Sequence, residues 1–282
     1  MKLTLVILSI LLILVLALLL LRLLDWREDH AEWSRLAALQ PTNPIRFNPE
    51  MVADLPEPAR RYFQFAIAPG TPLFPVAEID MAGQFSLGSK DAPHYQRMQA
   101  RQILAAPQGF VWQMRLPGWL PVSGSDAGSS SNSWTRFRIL GLIPVARIGG
   151  DQDHLRSAFG RYVAEAVFWT PAAVLPHPGI MWQGIAKDTA RVTVNIGALS
   201  QAVDLTVTDD GQPLSVTFMR WSNANPVKRY RLQPFGGKLS DFRPVHGYRL
   251  PFRVEAGNMF GTDEYFAFYK AEVTAIRFPG GR

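Results

Sequence analysis

The chain has 282 residues, 48% of them apolar, a net charge of +6 and no cysteine. That length leaves room for one large domain with its own core. The missing thiols exclude disulfide staples, a cysteine nucleophile and lipid modification at cysteine. Lys and Arg are dispersed and form no basic stripe with interleaved stacking aromatics, so nucleic acid is not an expected partner.

From Leu3 to Leu21 no residue is charged, and only Thr4 and Ser9 are polar. As a helix this run spans roughly 30 Å, the thickness of a bilayer's hydrocarbon. It ends Leu20-Leu21-Arg22-Leu23-Leu24, without the small-x-small site of a cleaved signal peptide. An uncleaved single-pass anchor is expected over residues 1–24. Basic residues on its two flanks nearly balance, so charge alone leaves the orientation open. Residues 25–48 read as a juxtamembrane helix and linker. Trp26 and Trp33 suit either the membrane interface or packing on the domain, and two prolines in Pro41-Thr42-Asn43-Pro44 interrupt regular structure.

Residues 49–279 read as one β-rich domain. A short helix is expected over 56–66, with prolines in its first turn. Period-two patterns predict strands over 76–87, 94–104 and 109–116. Residues 124–133, a Ser/Gly run, read as a mobile loop, and strand character resumes over 134–140. Next comes a clear helix. Asp151 or Asp153 can cap it, and Leu155, Phe159, Tyr162, Val163, Ala166 and Val167 fall on one face before Thr170-Pro171 ends it. The last hundred residues alternate most cleanly, as in Val192, Val194 and Ile196, then Val203, Leu205 and Val207, then Leu250, Phe252 and Val254. That is the pattern of an antiparallel sheet with one wet face, and no βαβ alternation interrupts it. The expected fold class is α+β, mostly antiparallel β: a curved sheet or half-barrel with one or two helices packed on it, plus the N-terminal transmembrane helix.

Signatures of chemistry are weak. The five histidines are far apart, none with a partner at metal-ligand spacing. Gly124-Ser125-Asp126-Ala127-Gly128 lacks the spacing of a nucleophile elbow, and no phosphate-cradling glycine loop occurs. No catalytic residue, metal or cofactor is assigned. Glu165 has two readings: an i, i+4 ion pair with Arg161 on a solvated helix face, or a partly buried polar anchor at the mouth of an apolar cavity. The aromatics from Phe260 to Tyr269 occupy both faces of one strand region, which means either core packing or contact with an apolar ligand.

Two stretches carry a resemblance. Leu55-Pro56-Glu57-Pro58-Ala59-Arg60-Arg61-Tyr62-Phe63 and Glu165-Ala166-Val167-Phe168-Trp169-Thr170-Pro171, with Gly141-Leu142-Ile143-Pro144-Val145, resemble a bacterial domain-of-unknown-function family over residues 50–278. That family brings no activity with it. Ser240-Asp241-Phe242-Arg243-Pro244-Val245-His246-Gly247-Tyr248-Arg249-Leu250-Pro251 is more loosely similar to periplasmic lipoprotein carriers. The second resemblance implies an incomplete barrel around a cavity for acyl chains, on the extracytoplasmic side of the inner (cytoplasmic) membrane. Three functions follow as expectations. The first is a non-catalytic, membrane-tethered module for a membrane lipid or other apolar small molecule, with Arg60, Arg61, Glu165, Trp169, Phe266 and Phe268 as ligand-binding residues. The second is a structural partner of another protein in a cell-envelope complex. The third is a hydrolase-like enzyme using Glu165.

Overall fold

The computed structural model describes residues 2–280. It opens with one unbroken helix, α1 (Lys2–Ala37), whose first two-thirds is long and apolar enough to cross a membrane and touches little of the domain. Helix α2 (Glu57–Ala66) follows, and then six strands: β1 (Ala77–Phe85), β2 (Gln96–Ala105), β3 (Gly109–Leu116), β4 (Val122–Ser129), β5 (Ser133–Ile139) and β6 (Ile143–Gly149). Helix α3 (Gln152–Trp169) separates these from seven more: β7 (Ile180–Ala186), β8 (Thr189–Ile196), β9 (Leu199–Val207), β10 (Pro213–Ser222), β11 (Arg231–Val245), β12 (Tyr248–Asn258) and β13 (Phe266–Arg277).

All thirteen strands form one sheet in the order β6-β5-β4-β3-β2-β1-β13-β12-β11-β10-β9-β8-β7, antiparallel throughout. Every neighbouring pair is a hairpin except β1 with β13, which joins the two halves. Helix α3 links the two edge strands and touches β4, β5 and β6 on one wing and β9, β10 and β12 on the other. One helix reaches both wings because the sheet curls around it. Asp151 caps α3, its Oδ1 accepting from the His154 amide at 2.8 Å. Close approach of helix to sheet is built into small residues: a Cβ on Gly128 would lie 2.7 Å from the Ala158 Cβ, and one on Gly160 would lie 3.3 Å from the Phe218 ring.

The Ser/Gly run corrects the sequence reading. Residues 122–129 are strand β4 and not a mobile loop, because this strand is packed on both faces. Asp126 and Gly128 turn toward the concave interior, while Ser125 and Ala127 turn toward α1 on the convex face. Bulkier side chains would hold both helices off. The segment over 143–149, not expected as a strand, completes the edge as β6 beside β5.

The polar end of α1 continues the apolar part without a break and docks on the convex face of β1–β6. Asp25, Asp29, Trp33 and Leu36 fall on one helical face. Asp25 is buried and pairs with Arg136 (3.3 Å), Arg147 (2.6 Å) and Arg138. Asp29 accepts from Ser125 (2.8 Å) and Trp134 (3.0 Å). Trp33 donates to Glu78 (2.9 Å), and Leu36 is fully buried with Val76, Ile103 and Val111. Trp33 thus packs on the domain, whereas Trp26 stays exposed and stacks on His30.

Candidate functional site: an apolar cavity inside the sheet

The two ends of the curled sheet differ. At one, α2 and residues 45–74 form a plug. Tyr62 and Phe63 pack against Trp182, the Tyr62 hydroxyl donates to the Val167 carbonyl, and Tyr248 donates to the Pro72 carbonyl at 2.7 Å. The other end carries the β1–β2, β3–β4 and β5–β6 connections and stays open. A cavity of about 620 Å³ lies between α3 and the concave face, within the range of small-molecule sites. Its wall is apolar for most of its extent, with Phe85, Trp112, Phe137, Trp169, Phe218 and Phe268 among its side chains. Leu87 and Val145 both line it and are exposed to solvent, which marks the mouth at the open end.

Polar groups enter this wall at one place. Arg161, on α3, donates from Nε to Glu165 Oε1 (2.8 Å), from Nη1 to Asp126 Oδ2 (2.5 Å) and from Nη2 to Gln102 Oε1 (3.3 Å). Gln102 Nε2 returns a bond to Glu165 Oε2 (2.7 Å). Burial opposes the Arg161 charge, but Glu165 and Asp126 outweigh it and hold the guanidinium above its ordinary pKa. Thr135 donates to Asp126 Oδ1 (2.7 Å) and shares a hydrogen bond with His154, which reaches Ser133 at 2.8 Å. That chain lies at the first turn of α3 and ties it to β5. Arg220, on β10, also faces the cavity and stacks over Phe235 at 4.9 Å. Tyr269 lines the wall, and burial raises its pKa well above the ordinary value.

The six residues singled out from sequence fall into three groups. Glu165, Trp169 and Phe268 line the cavity. Glu165 does pair with Arg161 at i, i+4, but both side chains are only 16% exposed, so the solvated-face reading is corrected. Phe266 packs on Tyr95 at the open rim, outside the lining. Arg60 and Arg61 lie on α2 at the plugged end, opposite the mouth. Arg61 is ion-paired there with Glu57 and donates to the Lys187 and Asp209 carbonyls. Sequence reasoning passed over Asp126, Gln102 and Arg220. For Arg220 a signal existed, because period two puts it on the inward face with Val216 and Phe218.

The mouth and the anchor meet. Arg22, the first charge after the long apolar run, lies where a Cβ on Gly141 in the β5–β6 turn would be 3.4 Å from its Nη1. That turn is joined to the β3–β4 connection by Leu140 N–H donating to the Pro121 carbonyl at 2.9 Å. Around them Leu87, Trp119, Leu120, Leu140 and Ile143 are exposed, Trp119 at 91%. A second groove, about 450 Å³ between α1 and the convex face, is open and lined with the polar groups that dock the helix.

A model of a family of unknown function (DUF6544) matches residues 46–271, and the chain belongs to that family. No protein of curated function matches it in sequence. In fold it is similar to a LolA superfamily protein from Nitrosomonas europaea, 10% identical, with a TM-score of 0.44 over 78% of this chain and 91% of that one. It is also similar to an outer membrane lipoprotein-sorting protein domain from Vibrio parahaemolyticus, 12% identical, with a TM-score of 0.38 over 83% and 93%. At these scores neither brings a ligand to this chain.

Proposed function

We propose that this member of the family is a non-catalytic binding module that takes an alkyl-chain lipid, or a similar apolar molecule, into the cavity beneath α3. The apolar part of α1 tethers it to the bacterial inner membrane with the domain outside the cytoplasm. The observation that carries this reading is a cavity closed at one end, open at the other and walled by apolar side chains. An alkyl chain moved from water into such a wall gains about 0.8 kcal/mol per methylene. The polar groups on the wall bond mainly to one another, an arrangement suited to holding one end of a ligand in place. Because α1 docks rigidly and its apolar part leaves beside the mouth, the tether holds that mouth at the headgroups.

Lipid extraction and mass spectrometry of the full-length chain purified in mild detergent test the proposal, together with titration by a fluorescent fatty acid. Bound lipid and saturable binding are expected. Ala164 lines the cavity and is 4% exposed, so Ala164→Trp fills the space and should weaken the probe by about tenfold or more. A native chain with neither lipid nor probe binding would sink the proposal. Domain side is read separately by maleimide labelling of Lys187→Cys in intact cells, made selective by the absence of native cysteine. Protection from an impermeant reagent would place the domain in the cytoplasm.

A further inference from the structure

We infer that the cavity receives an anionic ligand end, a carboxylate or phosphate carried on an alkyl chain, at the guanidinium of Arg220. This rests on the reading of the cavity as an alkyl-chain site and names the end of the ligand that the protein recognises. Arg220 shares its inward face with Val216 and Phe218, and all three line the cavity. Two carboxylates are nearby, but Asp126 and Glu165 are both hydrogen-bonded to Arg161. They act on Arg220 only through space. Among the described residues no carboxylate forms an ion pair with it, and its buried Nε has no hydrogen-bond partner.

A buried guanidinium nitrogen without a partner is costly, and the Arg220 Nε has lost water and gained nothing in return. The cost registers as a lowered affinity for the proton. Burial, with the Arg161 charge adding to it, pushes Arg220 down to about 10. It remains a cation at neutral pH. Its ring partner explains how it is held: stacking on Phe235 fixes the guanidinium plane and leaves the edges available. A fixed planar fork suits two-oxygen anions such as carboxylate and phosphate. A neutral head, such as an alcohol, offers one acceptor and leaves the charge uncompensated. An ammonium head would add a third cation beside Arg220 and Arg161.

The test uses the full-length chain, delipidated in detergent at mildly alkaline pH, where fatty acid is ionised. It is incubated with equal amounts of hexadecanoic acid, hexadecyl phosphate, 1-hexadecanol and hexadecylamine, and retained ligand is read by mass spectrometry. The acid or the phosphate should be retained at least about tenfold over the alcohol and the amine. Whichever of the two leads distinguishes a free fatty acid from a phosphate-headed lipid. Arg220→Met should abolish the preference while the alcohol is still retained, and Arg220→Lys should keep part of it. Equal retention of acid and alcohol by the native chain overturns the inference and leaves the cavity reading standing. Retention of none overturns both. A preference that survives Arg220→Met in a folded variant also overturns the inference. If the variants fail to fold, the comparison within the native chain decides.

Discussion

Asp29 is the residue on which the docking of α1 depends in a pH-sensitive way. It is 9% exposed and accepts from Ser125, Trp134 and Gln113. Burial outweighs these bonds and raises its carboxyl above the ordinary 3.8. A carboxyl that holds its proton more tightly in the folded chain contributes stability that is complete below pH 3.8. That contribution is lost as pH rises through the raised folded value. Asp29→Asn keeps an acceptor for Ser125 and Trp134 and cannot ionise. Its unfolding free energy should therefore match or exceed that of the native chain at neutral pH, with the gap closing toward pH 3.8. Denaturant unfolding across that range is the measurement, and a gap that widens on acidification would refute the assignment. At this scale the sequence is uneven evidence. The inward direction of Arg220 follows from alternation with Val216 and Phe218. Its lack of a partner does not, because Glu165 pairs with Arg161 within α3 itself, and Asp126 joins that pair only once β4 packs on the helix.

Among the elements, β4 shows why local composition misleads. Ser, Gly and Ala in succession look like a flexible connection, since nothing in the run itself demands order. Two helices on opposite faces supply that demand. Gly128 must accept Ala158 at a separation that leaves no room for a side chain, so Gly128→Val should destabilise the domain by about 1–3 kcal/mol through overpacking. Thermal unfolding would check this, and a midpoint unchanged from the native chain would mean that α3 is free to move away. The capped, strongly periodic α3 and the alternating strands β8, β9 and β12 were legible because their signals are local. Long-range packing decides β4, β6 and the docking of α1, and it leaves little local trace. Leu36 illustrates the last case: alone in the polar end of α1 it looks incidental, yet it is fully buried against the sheet. Leu36→Ala should cost about 2–5 kcal/mol as a cavity-forming change. Faster amide exchange across the second half of α1 would accompany that loss, and exchange unchanged from the native chain would argue that the helix is held by its ion pairs alone.

For the molecule as a whole, the decisive feature is that the apolar helix and the cavity mouth leave the domain at the same end. A flexible tether would let the domain face any direction. Here α1 is one helix from Lys2 to Ala37, held by the Asp25 cluster and by Leu36, so the direction of its apolar part sets the orientation of the domain. Arg22 stands at the level of the β5–β6 turn, and the apolar run begins immediately beyond it. If that run spans a bilayer, Trp119, Leu120, Leu140 and Ile143 reach the headgroup region beside it, where an exposed Trp and aliphatic side chains are favoured. A ligand would then pass between leaflet and cavity without crossing open water. The absence of cysteine makes the geometry measurable: single cysteines at Trp119, Leu140 and Lys187 can each carry an environment-sensitive fluorophore in full-length chain reconstituted into phosphatidylcholine–phosphatidylglycerol vesicles. Labels at 119 and 140 should be blue-shifted and quenched by nitroxide-bearing lipid, while the label at 187, in the β7–β8 turn at the plugged end, stays aqueous. Equal water exposure at all three positions would mean that the rim stands clear of the membrane and that lipid must leave the bilayer before it can enter.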